Sequence, residues 1–169
     1  MGAPLITEEP YASSGTVPVY DADAHIAEPT SVWQEYADPK YRDLVMQCRP
    51  VGDLDSIFVE DSGIGVSCAP ACIPNAYGTE VTWDDMFPGS YDPAERLKVM
   101  DDEGLDAALM FPSLHLLSGD IADADVAAAN ARAYNRWMTD FTSENPDRLY
   151  GVGVTPLQSV DHAVAEIEF

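Results

Sequence analysis

From Asp92 to the last residue the chain alternates helix signals with short apolar runs, and that order leaves few architectures open. Asp92-Pro93-Ala94-Glu95 opens a helix, with an acidic cap, proline in the first turn and glutamate three residues past the cap. Leu97 and Met100 share one face, and Gly104 is the stop. Residues 106–112, with Ala-Ala-Leu-Met-Phe at their centre, read as a strand buried on both faces. Asp123 opens a long helix on which Val126, Asn130, Tyr134, Trp137 and Phe141 form a stripe, closed by Asn145-Pro146. Residues 150–155 are the next buried strand, and Ser159 caps a helix that is still running at Phe169.

Upstream the signals are sparser. Residues 1–16 are polar, carry proline and a Ser-Ser-Gly run, and read as a flexible N-terminal arm. A first strand is expected over 17–22 and a short helix over 31–36, closed by Asp38-Pro39. Residues 57–60 and 64–67, separated by Asp61-Ser62-Gly63, pattern as a small hairpin. Residues 68–91, rich in proline, glycine and aromatics, read as a long ordered loop. Strand, excursion, helix, strand, helix, strand, helix predicts a parallel α/β architecture with right-handed crossovers. It amounts to about three βα units with a hairpin and loop inserted after the first strand. No glycine-rich phosphate loop follows that strand, which argues against a nucleotide-binding sheet. Three parallel strands leave two open edges and too few helices to cover both faces, so the chain is expected to be the front of something larger.

The 46% hydrophobic content suffices for a core, and no window approaches the roughly 18 apolar residues of a membrane span. The first residues lack a secretion signal, and Ile6 stands where a myristoylation signal needs Ser or Thr. A cytoplasmic location is expected. Thirty acidic against eight basic residues give a formal charge of −22, which repels nucleic acid and anionic membrane surfaces and excludes both as partners. The surplus reads as a solvated acidic surface with which Arg96, Arg132, Arg136 and Arg148 pair. An anionic substrate would then need a local positive centre, which a bound metal would supply. Cys48, Cys68 and Cys72 are odd in number, which argues against a disulfide framework. Cys68 and Cys72 lack the second pair that a structural zinc site needs and read as loop thiols.

The candidate chemistry lies where the first strand ends. Asp23 and His25 are two residues apart, so on extended chain their side chains point to the same side and could grip one metal ion. Two ligands are half a site, because a catalytic zinc or manganese takes three or four. On spacing alone the pair could equally be a capping carboxylate and a hydrogen-bonded surface histidine. Glu28 could orient His25 or its loop, or cap the helix that begins near Pro29. His115, just after the second main strand, is placed either to face the mouth of the sheet as a substrate contact or to stand exposed in its loop. His162 reads as a helix-surface residue.

Three stretches together carry a resemblance. Asp21-Ala-Asp-Ala-His-Ile-Ala-Glu-Pro, then Tyr91-Asp-Pro-Ala-Glu-Arg-Leu-Lys-Val-Met-Asp-Asp-Glu-Gly-Leu-Asp-Ala-Ala-Leu-Met-Phe-Pro-Ser, then Tyr134-Asn-Arg-Trp and Asn145-Pro-Asp-Arg-Leu-Tyr-Gly-Val-Gly look like the amidohydrolase-related family. This branch includes aminocarboxymuconate-semialdehyde decarboxylase and related aromatic-acid decarboxylases, and the likeness runs from residue 17 to the end. It implies that residues 17–169 are the N-terminal portion of a metal-dependent (β/α)8 TIM barrel, with the metal at the C-terminal ends of the strands. Family members end the first strand in His-x-His and add a later His and a final Asp. Asp23 stands here in place of the first His, and His25 matches the second. Nothing in these 169 residues matches the later ligands, since such barrels need roughly 250 residues.

The implied cofactor is a divalent metal, zinc foremost and manganese second. The implied partner is a small carboxylic-acid substrate, aromatic in several relatives, which the family decarboxylates or hydrolyses. Relatives often assemble as homodimers. The alternative expectation is a non-catalytic remnant or interaction module of the same fold, using its open strand edges.

Overall fold

The computed structural model describes residues 17–51, 54–58, 65–67 and 86–169. The N-terminal arm, the Asp61-Ser62-Gly63 turn, Cys68, Cys72 and most of the 68–91 segment lie outside the described residues.

Three parallel strands form the central sheet in the order β1 (Tyr20–His25), β5 (Ala107–Phe111), β6 (Leu149–Gly151). β1 begins and ends later than its apolar run predicts, because its bounds follow its pairing with β5, from Tyr20 opposite Ala107 to His25 opposite Phe111. The register slips by one residue between Asp21 and Ala24, a bulge on β1. β6 is shorter than the expected 150–155 strand. After Gly151 only the Val152 N–H continues the pattern, donating to the Met110 carbonyl at 2.9 Å.

A second sheet is an antiparallel meander of β2 (Gln47–Val51), β3 (Leu54–Phe58) and β4 (Gly65–Ser67). The predicted hairpin corresponds to β3 and β4, whereas β2 carries no sequence signal. It contains Pro50, which an edge strand tolerates and a pattern search rejects.

The helices are α1 (Val32–Tyr36), α2 (Pro93–Glu103), α3 (Ala124–Thr142) and α4 (Val160–Ile167). Their caps are those the sequence specifies. Asp92 Oδ1 accepts from the Glu95 N–H at 3.0 Å, Asp123 Oδ1 accepts from Asp125 and Val126, and Ser159 Oγ accepts from His162. Gly104 ends α2 in the left-handed region with φ 72°, and the Leu105 N–H returns to the Met100 carbonyl at 2.8 Å.

α3 organises the core. Its first half packs with Trp33, Val45, Met46, Ile57, Leu114 and Ile121, and its second half packs with Ala24, Ile26, Met100, Met110 and Leu149. The predicted stripe from Val126 to Phe141 is buried throughout. Alanines at 127, 129, 131 and 133 are buried on α3, and β6 packs against its second half through Gly151. A Cβ on Gly151 would meet Met138 Cγ and Sδ well inside contact distance. Gly151→Val should therefore destabilise the fold by about 1–3 kcal/mol through overpacking, as read by urea denaturation. An unchanged midpoint would show that Met138 can swing aside.

Three of the four arginines pair as expected, Arg132 with Glu166, Arg136 with Asp38 and Arg148 with Asp101. Arg96 does not. Among the described residues it has no ion-pair partner, and its Nη2 donates to the His25 carbonyl at 2.6 Å. Two apolar surfaces stay bare. Tyr20, Leu109 and Tyr150 are exposed on the sheet, and Leu157, Val160, Val164 and Ile167 on or beside α4. Among the described residues no helix is long and apolar enough to cross a membrane.

Candidate functional site

Parallel strands bring their C-terminal ends to one edge of the sheet, and three loops meet there: residues 26–29 after β1, 112–114 after β5 and 152–158 after β6. The buried Ala24 lies between the exposed Asp23 and His25. Both candidate ligands therefore lie away from the core that covers Ala24. His25 is held in two ways. Its Nδ1 meets Ser113 Oγ at 3.2 Å, and its backbone carbonyl accepts from Arg96. Its ring also lies beside Phe111, with centroids 6.0 Å apart.

Glu28 is fully buried and does not cap α1, whose N-cap residue Ser31 makes no side-chain cap bond. Instead its carboxylate crosses to the next loop. Oε2 accepts from the backbone N–H groups of Ser113 at 3.2 Å and Leu114 at 2.9 Å, and Oε1 accepts from that of His115 at 3.0 Å. Glu28 thus acts on the loop that carries Ser113, and through Ser113 it bears on His25. Burial pushes its carboxyl above the ordinary value, and the backbone N–H groups pull against that shift.

His115 is buried, at 5% exposure, so the exposed-loop reading is wrong. The cause is local: it starts a 3₁₀ turn, His115–Asp120, that folds back onto α3 and sets its ring 5.1 Å from that of Tyr134. Burial lowers its pKa from 6.5 to about 4, so the ring is neutral near pH 7. Its Nδ1 is buried and, among the described residues, has no hydrogen-bond partner. Tyr134 is likewise held neutral, its pKa raised first by burial and then by the charge of Glu28, while its hydroxyl donates to the Val152 carbonyl at 3.1 Å. His162 is where the sequence places it, on the surface of α4, with Nε2 3.3 Å from Asp125.

His25 offers an imidazole whose Nδ1 already faces a hydroxyl, leaving Nε2 for a metal, the usual division of labour in a ligating histidine. Asp23 adds a carboxylate two residues away on the same exposed side. These two residues suit a divalent cation. Among the described residues, no group of three or more His, Cys, Asp or Glu side chains is arranged to hold one.

The fold is shared with a solved amidohydrolase. A crystal structure of an amidohydrolase from Mycobacterium avium subsp. paratuberculosis superposes with a TM-score of 0.67 at 19% sequence identity, covering 91% of this chain and 47% of that one. The chain thus spans about half the length of that structure. No family model matches the chain, and no curated protein does. The likeness is one of fold: a mixed α/β chain with a three-stranded parallel sheet, consistent with part of a barrel, whose closure is not seen among the described residues.

Two residues at this edge escaped sequence reasoning in their roles. Ser113 follows the second main strand in Phe-Pro-Ser, and the C-terminal end of a parallel strand is the signal that could have marked it. Arg96 reads as one more surface cation in the first turns of α2, and nothing in its neighbours indicates that it reaches back to His25.

Proposed function

We propose that the chain carries the first-strand half of the metal site of an amidohydrolase-type enzyme, one that hydrolyses or decarboxylates a small carboxylic acid, in the branch related to aminocarboxymuconate-semialdehyde decarboxylase. The observation that carries this reading is the pairing of His25 Nδ1 with Ser113 Oγ, beside Asp23, on the open side of the sheet at its C-terminal edge. That is where barrel enzymes place their chemistry. The bare sheet surface of Tyr20, Leu109 and Tyr150 supports it too, since the interior of a closed barrel would lie there.

Asp23 and His25 would hold the metal, which supplies Lewis acidity and a template for substrate oxygens when bound. Ser113 fixes the plane of the His25 ring. Arg96 anchors the His25 backbone, and Glu28 fixes the loop on which Ser113 stands. In a chain of net charge −22 an acid substrate is drawn to this edge only once a cation is there.

Calorimetric titration with Zn²⁺ tests this. The chain should take up one ion through the Asp23 and His25 pair, weakly for want of a third and fourth ligand. His25→Ala and Asp23→Ala should each weaken binding by at least about tenfold, and Ser113→Ala by less. Equal binding by wild type and His25→Ala would place the ion elsewhere and remove the basis of the reading. The exposed row of Leu157, Val160, Val164 and Ile167 favours, as a second reading, an interaction module that associates through α4. Sedimentation would then find a dimer that Val160→Asp dissociates.

A further inference from the structure

The surface charge is unbalanced in a way that local pairing does not mend. Thirty acidic residues stand against eight basic ones, only two of them lysine, whereas a small domain suited to dilute buffer intersperses both signs and carries a net charge of roughly 2–8. Most of the cations are already engaged. Lys98 pairs with Glu95, Arg132 with Glu166, Arg136 with Asp38 and Arg148 with Asp101. Arg96 holds a backbone carbonyl, and Lys40 and Arg49 lie over the rings of Tyr41 and Phe58.

The arrangement is least favourable at the helix ends. A helix C-terminus carries partial negative charge and gains from lysine or arginine in its last turn. Here α2 ends in Asp101, Asp102 and Glu103, α3 has Asp140 in its last turn, and α4 has Glu166 with Glu168 at its cap; none of the three helices has a basic residue there. Asp101 and Glu166 borrow an arginine from another element, and Asp140 accepts from the Tyr36 hydroxyl. Asp102, Glu103 and Glu168 are exposed and make no ion pair among the described residues. Nor do carboxylates among the described residues converge in threes to hold one ion, so no single bound cation relieves them.

We infer that this fold is built for concentrated salt, in which a diffuse layer of monovalent cations screens its carboxylates, and that it loosens in dilute buffer. The reach of the repulsion sets the scale. Between 0.1 and 1 M salt the screening length falls from about 10 Å to about 3 Å, from roughly two helix turns to less than one. The inference does not depend on the functional reading above, since these helix ends lie outside the Asp23 and His25 edge.

The 169-residue chain is unfolded with urea, which adds no ions, in about 0.1, 0.5 and 2 M KCl. A sulfate is avoided because its exclusion from protein surfaces would stabilise any fold. The urea midpoint should rise by at least about 1 M from the lowest salt to the highest, and a cooperative transition that is lost at the lowest salt and returns at the highest is the stronger form of that result. The triple variant Asp102→Lys, Glu103→Lys and Glu168→Lys should unfold at higher urea than wild type in the lowest salt, and its rise with KCl should be smaller by at least about a third. Sucrose, which stabilises without screening, should shift both proteins equally. A midpoint that stays in place across the KCl series would overturn the inference and leave the acidic surface to a basic partner. So would a triple variant whose midpoint climbs with KCl as steeply as that of wild type, because the salt effect would then not be one of these charges.

Discussion

Replacing Glu28 with alanine should cost about 3–5 kcal/mol of folding stability, the largest loss expected from a single side chain outside the apolar core. The substitution removes one acceptor group from three backbone N–H donors, those of Ser113, Leu114 and His115. Leu114 and His115 are buried, so water cannot fully replace the lost oxygens. Each orphaned donor is worth about 1–3 kcal/mol, and partial hydration of the vacated space brings the sum down. Urea denaturation reads the loss, and Glu28→Gln, which keeps one acceptor oxygen, should fall between wild type and alanine. A loss below about 1 kcal/mol in Glu28→Ala would mean that the 113–115 loop is held by other contacts. Because Ser113 rides on this loop, the alanine variant should also shift the His25 ring resonances, although Glu28 has no hydrogen bond to His25.

Acid should destabilise the protein through His115. Its pKa is about 4 in the folded state and near 6.5 in an unfolded chain, so the unfolded state takes up the proton first as pH falls. The stability that depends on its neutrality is complete above pH 6.5 and is lost as pH falls from there to about 4. That interval corresponds to roughly 3 kcal/mol. Carboxylates titrate in part of the same range. The quantity to measure is therefore the difference in pH dependence between wild type and His115→Phe, which lacks the ionisable ring. The difference should widen between pH 6.5 and 4, and NMR titration should find the His115 ring still neutral at pH 5. Parallel stability curves for the two proteins would show that His115 protonates without opening the fold, and its burial would then be incomplete in solution.

Both effects arise where sequence reasoning is weakest. The elements around α2, β5 and α3 were legible because their signals are local: a cap and a stop a few residues apart, an unbroken apolar run, a stripe of period 3.6. Asp92, Gly104 and Asp123 each do what their type and position foretell. Glu28 was left open between orienting His25 or its loop and capping α1, because its partners lie 85 to 87 residues away and no local pattern encodes such a contact. His115 looked like a loop residue because the short turn that folds it onto Tyr134 has no hydrophobic period. β2 was invisible for a related reason: Gln47, Cys48, Arg49 and Pro50 belong to a strand only because β3 pairs with them. Of the candidate site, Asp23 and His25 could be picked out by spacing, whereas Ser113 and Arg96 became visible only once β1 and β5 lay side by side.

The bulge in β1 has a bearing on how such a strand can change in length. Tyr20 and Asp21 pair with Ala107 and Ala108, whereas Ala24 and His25 pair with Met110 and Phe111, so β1 holds one residue more than β5 over this stretch. Its two ends are thus in separate reading frames against the neighbour. Loss of Ala22 would close the bulge into a regular ladder, and Ala24 and His25 would keep both their partners and their facing. The end that bears His25 is indexed from β5 and Arg96, not counted from the start of its own strand, so it is insulated from indels upstream of it.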